Sequence, residues 1–135
     1  MMTGSMKGTV TLSSGASTFD ADFLLWDNNP HPTTNLPMMR FFGTDPNTTL
    51  SVGAGFANPA TPSGTYKIGG PELLGVDVTS GAGRGTIRGG QHFSLVEGSV
   101  TLKRDDARRN ISGTIKGHTA DKACSVEVSF DLSKP

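Results

Sequence analysis

Between His118 and Lys134 the chain runs without glycine or proline and alternates with a period of two. Cys124, Val126, Val128, Phe130 and Leu132 fall on one parity, and Ser125, Glu127, Ser129 and Asp131 on the other. Successive side chains of a strand point to opposite faces, so this pattern predicts a strand with one face buried and one in water. It also turns Cys124 inward, where a thiol is a small inert hydrophobe. The same period recurs upstream. Val10 and Leu12 alternate with Thr9 and Thr11, while Phe19, Ala21, Phe23 and Leu25 alternate with Asp20, Asp22 and Leu24 in a strand that ends at Trp26. Further strands are expected at Met38–Phe42, Leu50–Val52, Thr65–Ile68, Leu73–Thr79, Gly85–Arg88, His92–Val96, Ser99–Arg104 and Ile111–Thr119. Turn signals separate them every roughly 8–12 residues, and no connection carries a helical pattern. The chain therefore reads as all-β: a single domain over residues 1–135, an antiparallel β-sandwich of about 8–10 strands, with a flattened β-barrel as the alternative.

Local order follows from the turns. Ser99–Arg104 and Ile111–Thr119 form a hairpin around the charged tip Asp105–Asn110, and Ala120–Lys122, with Asp121 as turn former, leads into the last strand. The C-terminal third is then a three-strand meander. Gly8-Thr9-Val10-Thr11-Leu12 and Gly98-Ser99-Val100-Thr101-Leu102 match closely, as equivalent strands in two halves of a sandwich or by chance. The 18 glycines among 135 residues are nearly twice the average share of about 7%. They follow no three-residue period, which excludes collagen, and they read mainly as punctuation at strand ends. Gly113 and Gly117 fall inside a strand and point to a bulge or a close backbone approach.

Charge narrows the partners. Twelve Lys+Arg balance twelve Asp+Glu, so no nucleic-acid partner is expected, although residues 84–122 hold eight basic and four acidic side chains. Such a local excess is the ordinary composition of a solvated face. The single cysteine gives no internal disulfide. No leader-like or membrane-spanning apolar run is seen, which makes a cytoplasmic location the default expectation.

Candidate chemistry centres on the loop 27–37, polar and rich in asparagine and proline. Trp26 at its base, with Asp27, Asn28, Asn29 and His31, has the ingredients of a carbohydrate or other small-molecule site: an indole to stack on a sugar, and carboxylate and amide groups for its hydroxyls. The competing reading makes Trp26 a core residue and the prolines a stiff connection, and the usual burial of tryptophan favours it. No metal is expected, because His31, His92 and His118 are far apart and Asp27-Asn28-Asn29 lacks a calcium-loop spacing. No cofactor motif is present. Gly81–Gly90 resembles a phosphate loop only superficially and reads as two turns around a short strand. The stripe Ser112, Thr114, Lys116 and His118 faces water in a sandwich and would line a lumen in a barrel. With no activated nucleophile in sight, an enzyme is not the favoured reading. The function expected is non-enzymatic binding or assembly, through the Trp26 region or by self-association into a homo-oligomer. The alternative is a barrel holding a small apolar ligand, with or without catalysis, in an internal cavity lined by Phe41, Phe42, Phe56 and Phe93.

Gly98–Leu102, followed by Asn110–Ile115 and Val126–Phe130, resembles the ending of small bacterial β-sandwich domains, many of them surface or periplasmic lipoproteins. Pro62-Ser63-Gly64-Thr65-Tyr66 is similar to the opening of a strand in those domains. The resemblance covers about half the chain and implies a sandwich without an established activity. A leader and a lipidation cysteine, both part of that pattern, are not seen.

Overall fold

The computed structural model describes residues 2–28, 33–35, 38–81 and 91–135. They form eleven strands: β1 (Thr3–Leu12), β2 (Gly15–Asp20), β3 (Phe23–Asp27), β4 (Met39–Asp45), β5 (Leu50–Phe56), β6 (Gly64–Lys67), β7 (Leu73–Ser80), β8 (Gln91–Ser94), β9 (Glu97–Asp105), β10 (Asn110–His118) and β11 (Cys124–Ser133). Among the described residues no helix is long and apolar enough to cross a membrane. The strand expected at Gly85–Arg88, and the turns around it, lie outside the described residues.

The strands make two sheets, β2-β1-β11-β10-β9-β6 and β3-β4-β5-β7-β8, antiparallel throughout. This is the expected antiparallel sandwich, with one strand more than the expected range. The barrel alternative falls, because each sheet ends in its own edge strands and neither ladder continues into the other. The C-terminal meander is present as β9-β10-β11, and Asp121 shapes its second turn. Its carboxylate accepts from the Ala123 backbone N–H and the Thr119 hydroxyl, which hold it below the ordinary aspartate value. The two matching pentapeptides lie in one sheet, on β1 and β9, not in opposite halves.

Alternation builds the core. On β11 Cys124, Val126, Val128, Phe130 and Leu132 are all buried. They meet Met39, Phe41, Val52 and Phe56 of the opposite sheet in one cluster, and the Phe41 and Phe130 rings lie 4.4 Å apart between centroids. Phe41 also stacks on Phe56.

The expected strand Phe19–Trp26 is divided. β2 closes the six-stranded sheet and β3 opens the five-stranded one, and the crossing takes two residues: Ala21 N–H donates to Met6 of the first sheet, Asp22 N–H to Thr44 of the second. Across this corner the buried parity switches from Phe19 to Leu24 and Trp26. A second corner repeats the device, with Leu95 N–H on Val76 and Val96 N–H on His118.

Glycines are not confined to strand ends. A Cβ at Gly113 would fall 1.7 Å from the Thr101 carbonyl oxygen, and one at Gly117 2.4 Å from that of Glu97. The close approach expected at these two positions is present. Gly8, Gly43, Gly53, Gly55 and Gly75 also lie within strands, a correction to the reading of glycine as mainly turn punctuation.

Candidate functional site

The outward face of the five-stranded sheet is a grid set by register. One row runs Asp27, Arg40, Gly55, Gly75; the next runs Leu25, Phe42, Gly53, Asp77, Ser94; the third runs Phe23, Thr44, Ser51, Thr79, His92. Three glycines at the centre of such a grid leave it without side chains: Gly53 and Gly75 are half-buried, and Gly55 is buried beneath the Met38 methyl. The result is a trough of about 250 Å³. Met38 and Leu74 flank it at one end, Ser51 and Thr79 at the other, with Arg40 and Phe42 on the β4 side and Asp77 and His92 on the far side. Leu74 owes its place to a bulge: Phe56 pairs with Leu73 and Gly55 with Gly75, so Leu74 is the extra residue and stands 54% exposed.

Both polar walls are held in place. Arg40 donates from Nε and Nη2 to the two carboxylate oxygens of Asp27, at 2.9 and 3.1 Å. This bidentate geometry fixes the guanidinium plane and leaves Nη1 without a hydrogen-bond partner among the described residues. Opposite, Asp77 Oδ1 accepts from Ser94 Oγ at 3.1 Å and lies 3.3 Å from His92 Nε2. Its second oxygen, Oδ2, lies over the floor, 3.5 Å from where a Cβ of Gly75 would be. Thr79 Oγ1 and His92 Nδ1 are 3.3 Å apart. The chain Thr79, His92, Asp77 has the order of alcohol, imidazole and carboxylate found in nucleophilic triads. Thr79 is only 4% exposed, however, and its hydroxyl is not presented to a substrate.

The residues singled out from sequence go to different places. Trp26 is in the core, 6% exposed, with the Lys134 ammonium over its ring. This burial agrees with the reading of Trp26 as a core residue. Asp27 is the partner of Arg40 and borders the trough, and Asn28 is exposed. Asn29 and His31 lie outside the described residues. The four phenylalanines go to different places: Phe41 and Phe56 are in the core, Phe93 packs against it, and Phe42, with Phe41, borders the outer trough. Among the described residues no three His, Cys, Asp or Glu side chains gather as a metal site. Burial pushes the Cys124 thiol up to about 11, which keeps it protonated and unreactive at neutral pH.

Arg40, Asp77 and His92 belong to no local motif that marks them as a site in the sequence. One signal for the trough is in the sequence: Gly53 and Gly55, two apart on a strand, share a face and leave it bare. The stripe Ser112, Thr114, Lys116 and His118 lies on the outer face of the six-stranded sheet. Lys116 and His118 there border a second concavity, with Thr9, Thr11, Glu97 and Glu127 around them. Its side chains are mostly charged or hydroxyl-bearing, with Val126 the one large apolar residue in the lining.

No protein-family model matches the chain, and no match is found among curated proteins or solved structures. The likeness to lipoprotein-like sandwich domains rests on its short motifs alone.

Proposed function

We propose that the protein is a non-enzymatic recognition module that binds one small ring-bearing ligand in the trough on the outer face of its five-stranded sheet. The observation that carries this reading is the glycine floor of Gly53, Gly55 and Gly75, free of side chains of its own, between an apolar end and two anchored polar walls. Binding sites combine such an apolar surface with a few fixed polar groups. The volume is just under the roughly 300–1,000 Å³ of sites for drug-sized ligands, which suits a single ring. This moves recognition from the Trp26 loop to the neighbouring sheet face, with Asp27 retained as the anchor of Arg40.

The test is to fill the floor. Gly55 has no positive φ, and the one tight contact of a Cβ there would be the flexible Met38 methyl at 3.0 Å, with Leu74 Cβ and the Met39 carbonyl oxygen at ordinary distances of 3.9 and 4.0 Å. Gly55→Val therefore occupies the trough while leaving the fold in place. A library of small ring fragments screened by amide chemical shifts is expected to move Gly53, Gly55 and Gly75 in the parent protein and to lose that response in Gly55→Val. Fragments that bind the filled variant equally well overturn the reading.

A further inference from the structure

Resting on the trough as the binding site, we infer that its ligand is a pyranose sugar, held by hydroxyls on opposite edges between Arg40 and Asp77. The two walls offer complementary groups. Arg40 presents Nη1 donors from β4, and Asp77 presents the acceptor Oδ2 from β7, two strand spacings away, or roughly 10 Å between backbones. A sugar hydroxyl both donates and accepts, so one ring satisfies both sides. Between the walls the glycine floor with Met38 and Leu74 meets the apolar C–H face of the ring.

Other small ligands fit less well. A plain aromatic ring would displace water from Nη1 and Oδ2 and return no hydrogen bond to either, and an unpaired buried polar group is costly. A zwitterion would bring charge to groups already answered within the protein, Arg40 by both oxygens of Asp27 and Asp77 Oδ1 by Ser94 and His92. Neutral hydroxyls need no such compensation. Because both groups are already oriented, little side-chain freedom is lost on binding.

The experiment uses isotope-labelled full chain with the methyl glycosides of glucose, galactose, mannose and N-acetylglucosamine, and toluene as an apolar comparison. At least one glycoside is expected to move the amides of Gly53, Gly55 and Gly75. Asp77→Ala should weaken it by about ten- to a hundredfold, as expected for a hydrogen bond to a charged group. Arg40→Lys, which keeps the charge and removes the fork, should weaken it in the same direction. Binding of toluene to Asp77→Ala at least as strongly as to the parent shows that the trough is intact. If toluene moves these glycines and no glycoside does, the sugar assignment fails while the trough stands. If neither does, both fail. A glycoside that binds Asp77→Ala as tightly as the parent also overturns the assignment.

Discussion

Lys134 Nζ lies 4.2 Å from the centroid of the Trp26 ring. The contact ties the residue after β11 to the edge strand β3 and covers one face of the only indole in the chain. Burial pushes the Lys134 ammonium below its ordinary value, Asp27 opposes that shift, and Arg104 and Arg109 add to it. Replacing Lys134 with alanine should shift Trp26 emission to longer wavelength and lower stability by about 0.5–2 kcal/mol. In the parent protein, glycosides should leave that emission unchanged. A quench on glycoside addition would place the ligand at Trp26 instead of the trough.

Asp45 joins the two layers. Only 2% exposed, its carboxylate accepts from the backbone N–H of Asp20 at 3.0 Å and from that of Asn47 at 2.8 Å. It thus fastens the end of β2 to the β4–β5 turn. Asp45→Ala leaves both amides without their acceptor and should cost about 2–4 kcal/mol, read as a lower urea midpoint with an unchanged slope.

Two glycines separate backbone strain from collision. Gly15 and Gly113 both have positive φ, 130° and 151°. Nothing lies within 4 Å of a Cβ at Gly15, whereas one at Gly113 would fall 1.7 Å from Thr101 O. Gly15→Ala should cost about 1–2 kcal/mol. Gly113→Ala should cost more than about 4 kcal/mol or prevent folding. Equal thermal midpoints for the two variants would show that the β9–β10 contact is readily relaxed.

Cys124 gives the fold an alkaline limit. The folded thiol titrates at about 11 against an ordinary 9.0. Below pH 9 the thiol is protonated in both states and costs nothing. As pH rises from 9 to 11 the unfolded chain ionises first, so the folded state loses up to about 2–3 kcal/mol. Stability measured against pH should therefore fall more steeply over this window for the parent than for Cys124→Ala. At neutral pH a thiol reagent should react only as fast as the protein opens.

How far the structure could be read from sequence depended on whether a pattern stayed within one sheet. β11 was legible because its alternating residues keep one neighbour layer from Cys124 to Leu132, and the meander followed from its turn residues. The corner at Ala21–Asp22 was not legible. Phe23 and Leu25 continue the alternation of Phe19 and Ala21, yet belong to the outer face of the other sheet. Trp26 remained open because burial depends on what packs above it, and that includes Lys134, far away in sequence. The trough was hidden for a related reason. Gly55 and Gly75 lie in different strands, and only the register that pairs them turns two isolated glycines into one floor. Asp77 and His92 likewise meet across the β7–β8 ladder, beyond the reach of any local motif.

The pairing of β1 with β11 runs in continuous register from Thr3 against Ser133 to Leu12 against Cys124. During synthesis the first strand therefore waits for the last: until residue 133 has left the ribosome, one side of β1 has no partner and the layer it belongs to cannot close. The ladder stays open from the emergence of β1 until that of β11, exposed to pairing with neighbouring copies. It is a product that benefits from being finished quickly, or from being shielded until it is.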